Sequence, residues 1–429
     1  MLPPTPQITS NPKETRVYQT QVWQIFSVLL CFFISDDALL FSTIPSTFLM
    51  GTKIVSYIIL LVYLSCKPNL SREGMKQGLL FILLMGGILC LSMTANADLS
   101  FNYGYRFFIF LLCLLFATRI RFHEYAQIYV RILFIFSLIA LVSWILIQSF
   151  PALLSYIPSV TNSKGVTFPT IGVCSFLENG FRSTAIFREP GMFSIYLIWG
   201  LFLEIFYLPE SSKIRVSVFS ASIILTFSTL GFLSLITLFI VAGFRTREGA
   251  SYIKKHYWII LLAPIITTIL LTNETVYSHM VTRNFGGEGI EDSAAFSRLS
   301  SFTVPLKIAL ESPFSGVGIT SYMEHNELAA LAIYGIALGE GTGTNTIMIE
   351  TAKHGFLYGG ILILLLLNLS RRFKGFLGIF ALLLAMFSSQ CMPYSIFYNL
   401  LLMYGASYVC TRQKHSALQG QKFTGKRLS

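Results

Sequence analysis

Few residues of this sequence are equipped for chemistry, and the most suggestive group stands together. In the stretch 181–199, FRSTAIFREPGMFSIYLIW, Arg182, Arg188 and Glu189 come just before Pro190-Gly191. Glu189 followed by Pro190 predicts a helix start, with an acid near the positive end of the dipole and proline in the first turn. Arg188 reads either as an interfacial anchor or as a functional cation. Outer-leaflet anchoring is ordinarily left to Trp and Tyr, and basic residues are scarce on that side, so we read function. Further along, Arg283 and Arg298 flank the acidic patch Glu288, Glu291 and Asp292. That patch has carboxylates a divalent metal would use. No D-x-D or His-bearing cluster accompanies it, so a solvated loop surface is the better reading. His325, followed by Asn326, is a candidate base, although a loop histidine is more often simply exposed. Lys53 lies inside the second apolar run, with Asp36 and Asp37 near the outer end of the first. A charge within a membrane segment is a functional hypothesis by default, and a structural ion pair between neighbouring helices is its rival.

The elements that must position these residues are membrane helices. The chain is 54% hydrophobic and 12% charged, with a mean hydropathy of +0.67, values of a polytopic membrane protein. Its first residues carry prolines, Lys13 and Arg16 but no short apolar core with a cleavage site, and predict an uncleaved start. Six of the seven cysteines fall inside or at the ends of apolar runs and only Cys174 in a polar loop, so neither a disulfide framework nor a cysteine metal site is expected. Apolar runs occupy 17–41, 44–66, 77–95, 103–118, 127–150, 189–208, 213–245, 256–272, 350–369, 374–392 and 395–411. At ~1.5 Å per residue, the run 213–245 would make a helix of about 50 Å, too long for one upright crossing. Its middle, Ser228-Thr229-Leu230-Gly231, favours a break into two short crossings, which gives twelve in all.

Lysine and arginine set the orientation. With both termini cytoplasmic, the basic clusters at Lys67/Arg72/Lys76, Arg119/Arg121/Arg131, Lys213/Arg215, Arg245–Lys255, Arg371/Arg372/Lys374 and the tail all face inward. The net charge of +11 is thus a topology signal and implies no nucleic-acid partner. The division that follows is an N-terminal bundle of about five helices (1–150), a first large outer loop (151–188), central helices (189–272), a second large outer loop with short interfacial helices (273–354), C-terminal helices (355–411) and a basic cytoplasmic tail (412–429). Within the second outer loop, 301–310 and 328–338 are apolar but too short to span. Gly316 and Gly318 imply a tight turn after an interfacial helix. The cytoplasmic segments are short and hold no Gly-rich phosphate loop, so the function faces outward.

Several phrases together resemble the O-antigen polymerases of lipopolysaccharide synthesis: FREPGMFS opening a helix, LTFSTLGFLSL, SPFSGVGITSY, and Thr344-Asn345 shortly before GFLYGG. The resemblance covers roughly 182–367 and the number of crossings. It implies an all-α polytopic fold akin to the GT-C membrane glycosyltransferases. The implied activity is transfer of a growing glycan from undecaprenyl pyrophosphate to another lipid-linked oligosaccharide repeat at the periplasmic face of the cell inner membrane. Partners would be that lipid-linked oligosaccharide, the bilayer and a chain-length regulator protein, with no cofactor and no metal. On this reading Arg188, Glu189 and Arg298 are catalytic, while Arg182, Arg283, His325 and Asn345 bind substrate. Arginine offers a permanent bidentate fork for the pyrophosphate, and the attacking hydroxyl needs a base, Glu189 first with Glu324 or His325 behind it. The related O-antigen ligases typically carry His-Asn where this chain has Thr344-Asn345, and an Arg within the motif that here reads Ser228-Thr229-Leu230-Gly231. Both departures count against a ligase. A lipid-linked oligosaccharide flippase would have short loops and several deep charges, whereas the loops here are long and Lys53 is the expected deep charge. A non-catalytic exporter or scaffold would tolerate loss of any single outer arginine.

Overall fold

The computed structural model describes residues 12–39, 46–67, 72–161, 166–177, 182–209, 211–245, 294–336, 343–373 and 375–407. The expected crossing at 256–272, Arg283, the acidic patch and the tail lie outside the described residues. The described chain is mostly helical. It opens with α1 (Pro12–Ile34), α2 (Ser46–Ser65), α3 (Arg72–Ala95), α4 (Phe101–Arg119) and α5 (Phe122–Ser149). A small sheet follows, made of β1 (Ser159–Thr161), β2 (Thr167–Ile171), β3 (Cys174–Leu177) and β4 (Arg182–Ala185). Then come α6 (Pro190–Phe206), α7 (Lys213–Leu225), α8 (Thr229–Arg245), α9 (Ala294–Glu311), α10 (Tyr322–Tyr334), α11 (Thr346–His354), α12 (Phe356–Ser370) and α13 (Phe376–Phe387). An apolar helix α14 (Ile396–Ser407) closes the described chain.

The sheet corrects the all-α expectation. It is an antiparallel meander in the order β1-β2-β3-β4, within the segment 151–188 expected to form the first outer loop. Ile171 pairs with Cys174 across a two-residue turn, and Gly172 takes the positive φ (+59°) that such a turn demands. Its last strand leads into α6 through Phe187, which pairs with Ala38 beyond the end of α1.

Among the described residues, three helices are long and apolar enough to cross a membrane: 74–95 of α3, α4 and α5. Several others, α6, α8, α12, α13 and α14 among them, are apolar but shorter. At the centre stands α6, whose residues are buried nearly all round, as in a helix enclosed by neighbours. Its Tyr196 ring lies 4.3 Å from both Phe187 and Phe397 and 5.6 Å from Phe32. The run 213–245 breaks at 226–228, as its length required: α7 ends at Leu225, Phe227 takes a positive φ (+47°), and α8 begins at Thr229.

Hydrogen bonds and ring contacts gather the helix ends into two poles. At one, Phe122, Tyr207, Phe373 and Tyr404 pack edge to face, and Arg372 lies over the Phe122 ring and donates to Tyr404 O. Arg119 donates to Ser65 O at the same end. This is the basic pole. The sheet, the ends of α1 and α3, the starts of α4, α6 and α12, and helices α9–α11 lie at the other.

Candidate active site

The second pole gathers most of the residues with chemical potential. Residues 186–188 pair with 37–39: Leu39 N donates to Ile186 O at 2.8 Å and Arg188 N to Asp37 O at 3.0 Å. This pairing sets Arg188 beside the carboxylate of Asp36, 3.9 Å from Nη1 to Oδ2. The other Asp36 oxygen pairs with Lys53 of α2, so the ion pair considered for Lys53 exists and Asp36 bridges two cations. Asp37 is fully buried and accepts from Tyr196 Oη at 2.7 Å, Ser35 Oγ at 3.1 Å and Ser395 Oγ. On its other side Arg188 donates through Nη2 to Cys391 O at 3.2 Å. Its Nε is buried with no hydrogen-bond partner among the described residues. Burial disfavours the charged guanidinium, but Asp36, Asp37 and Glu189 outweigh it and raise the pKa, so Arg188 is a fixed cation. The side chain as a whole is 28% exposed, so a part of this cation other than the sealed Nε is open to an incoming anionic oxygen.

The segment 388–395, between α13 and α14, is the strap that ties this pole together. In the sequence, 388–392 fall within the apolar run 374–392, whereas the helix ends at Phe387 and these residues form a non-helical connection. Gln390 O accepts from Thr346 Oγ1 at 2.5 Å, and Met392 N donates back to the same hydroxyl at 2.8 Å. Gly191 packs closely under this segment: a Cβ there would sit 2.3 Å from Gln390 Nε2, the end of a side chain free to move aside. Pro393 O accepts from Arg106 Nη1 at 2.6 Å.

Arg106 is the buried charge that reading the sequence missed. It sits within α4, 1% exposed, and pairs with Glu350 of α11 (2% exposed) at 2.7 Å. Its Nε donates to Tyr358 Oη at 2.9 Å, and the rings of Phe110, Tyr358 and Tyr394 lie 5.4–5.9 Å from the guanidinium carbon. His354 approaches the same carboxylate at 4.0 Å and Ser92 Oγ at 3.3 Å. Lys53 is therefore not the one deep charge, and charge depth no longer argues against a flippase; loop length alone carries that distinction. The signal was available, because a lone arginine in an apolar run requires a buried partner.

The phrase SPFSGVGITSY turns out to be a clamp. Asp98, in the turn between α3 and α4, accepts from Ile319 N (2.8 Å), Thr320 N (2.9 Å), Thr320 Oγ1 (2.6 Å) and Ser100 N (3.1 Å). Burial alone would raise the Asp98 pKa, but these donors outweigh it and lower it to about 2. Gly316 and Gly318 take positive φ (+63° and +80°), as a tight turn requires. A Cβ on Gly316 would lie 2.3 Å from Lys353 C. Residues 316–320 are thus held on the turn between α3 and α4 by the side chains of Asn96 and Asp98, and on the end of α11 by main-chain contacts.

The remaining predicted site residues are scattered. Glu189 is the N-cap of α6, as predicted, with Pro190 following, and its side chain is exposed. Arg182 does not join Arg188 at Asp36; its Nε donates to Thr226 O at 3.0 Å, at the end of α7. Arg298 is exposed on α9. His325 is half-buried on α10 with Nδ1 2.9 Å from Ser321 O. Asn345 caps α11, its Oδ1 accepting from Met348 N at 3.1 Å. Thr344 bonds Ser301 Oγ through N and Oγ1. Of the predicted set, Arg188 and Glu189 alone among the described residues adjoin the buried network.

No family model matches this chain, and no curated protein matches it in sequence. Fold and composition define its class broadly: a mostly helical protein with apolar helices of membrane-crossing length and a network of buried charges at one pole.

Proposed function

We propose that this chain is a membrane glycosyltransferase that polymerises lipid-linked oligosaccharide repeats, an O-antigen polymerase, with twelve crossings and its site on the periplasmic face. The resemblance of 182–367 to that family supports the reading. The single observation that carries it is Arg188, a fixed and partly exposed cation held beside the strap. Arg188 takes the pyrophosphate of the donor. As the bond between the anomeric carbon and the pyrophosphate oxygen breaks, charge develops on that oxygen, and a preorganised guanidinium stabilises it. The hydroxyl of the acceptor sugar forms the new bond to the anomeric carbon, and Glu189 accepts its proton. Undecaprenyl pyrophosphate leaves with the electron pair, and the activated donor supplies the driving force.

The test uses purified protein in proteoliposomes with lipid-linked repeats. Arg188→Ala should abolish polymer at equal protein level, and Arg188→Lys should retain part of the activity because an ammonium is a point charge and not a fork. Normal polymer from Arg188→Ala would make the arginine an anchor only.

A further inference from the structure

At the basic pole, far from the strap, lies a cleft of about 350 Å³ lined by Gln127, Val130, Arg131, Leu208, Pro209 and Arg215. Two arginines and an amide share it with three apolar residues. Arg215 is partly committed, its Nε donating to the buried carboxylate of Glu204 at 2.9 Å. Arg131 is exposed on α5, and among the described residues no carboxylate pairs with it. The cleft therefore carries about one uncompensated positive charge.

The face of α5 that continues from it names the occupant. Gln127, Arg131, Ile135, Leu138, Val142 and Ile145 recur at helical spacing on one stripe. Ile135, Leu138, Val142 and Ile145 are 41–55% exposed, on a helix long and apolar enough to cross a membrane. A cation in the third turn of the helix, above a stripe of about 15 Å that is uncovered among the described residues, the depth of one leaflet, matches a phosphate head group with an acyl chain running down the helix. We propose that this cleft binds an anionic phospholipid, with Arg131 as its principal cation and the α5 stripe as the bed of one acyl chain. Basic pockets between helices at the cytoplasmic surface are suited to such head groups, and the positive-charge pattern of the sequence assigns this pole to that surface. The proposal is independent of the polymerase reading.

The experiment is native mass spectrometry of the full chain released from micelles containing equal dioleoyl phosphatidylglycerol and dioleoyl phosphatidylethanolamine. Retained phosphatidylglycerol should exceed phosphatidylethanolamine. Arg131→Ala should weaken that retention about fivefold, the contribution of one arginine near a charged surface. Arg371→Ala, which removes an exposed arginine at the same pole, should leave it unchanged, and excess inorganic phosphate should not displace the lipid. Three results would overturn the proposal: unchanged retention in Arg131→Ala, an equal loss in Arg371→Ala, which would mean diffuse attraction, or full displacement by phosphate, which would mean an ion site without a lipid.

Discussion

The Arg106–Glu350 pair makes the sharpest stability prediction. Both side chains are at most 2% exposed, so removing one partner strands the other's charge, at a cost of roughly 3–5 kcal/mol. Arg106→Met leaves the Glu350 carboxylate with only His354 near, at 4.0 Å. It should shift the folded-to-unfolded ratio by about two to three and a half decades, since ~1.4 kcal/mol is a factor of ten. Pro393 O keeps a donor in Asn399 Nδ2 at 2.9 Å, so its loss of Arg106 adds little. Tyr358 Oη loses its donor, which costs ~1–3 kcal/mol if it stays dry. The double variant Arg106→Met/Glu350→Leu strands no charge and should be more stable than Arg106→Met alone, with a coupling of at least ~2 kcal/mol. Reversible unfolding in mixed detergent–SDS micelles, followed by tryptophan fluorescence, measures the wild type, Arg106→Met, Glu350→Leu and the double variant. Additive effects in the double variant would refute the reasoning.

Three further outcomes follow, two from the same pole and one from the charge pattern of the sequence. Asp98 has its folded pKa lowered to about 2, against ~3.9 when unfolded. Its clamp therefore contributes fully above pH ~4 and is lost as pH falls towards 2; the unfolding midpoint should drop over that window, and Asp98→Asn should flatten the profile. Gly316→Ala, where the new Cβ would meet the Lys353 backbone at 2.3 Å, should destabilise more than Gly335→Ala, which has a positive φ (+74°) but open space; equal thermal shifts would contradict the close packing of Gly316 on the end of α11. Alkaline phosphatase fused after Lys164 or Glu327 should be active and fused after Lys255 inactive, and activity at Lys255 would overturn the topology.

Much of the architecture was legible because membrane physics writes it in composition. Residues 213–245 are too long for one crossing and break beside Ser228, Glu189-Pro190 starts a helix, and Lys53 finds Asp36. The sheet was not legible. Its strands run three to five residues, too short to show alternation against a polar loop. Arg106 and Glu350 are distant in sequence and each reads alone as an isolated charge in an apolar run. The strap 388–395 escaped for another reason: it acts mostly through carbonyls and small hydroxyls, which no side-chain pattern announces. Arg182 and Asn345 were singled out for chemistry and serve helix ends, because the groups that bind anions also satisfy unpaired backbone.

The banding pattern of lipopolysaccharide from a strain lacking this chain tests the central claim most directly. A polymerase defect still permits transport and ligation of one repeat. The account predicts core bearing a single repeat unit, with the ladder of longer bands gone and restored by the wild-type chain but not by Arg188→Ala. Bare core, with lipid-linked polymer accumulating in the inner membrane, would contradict it and assign the chain to ligation.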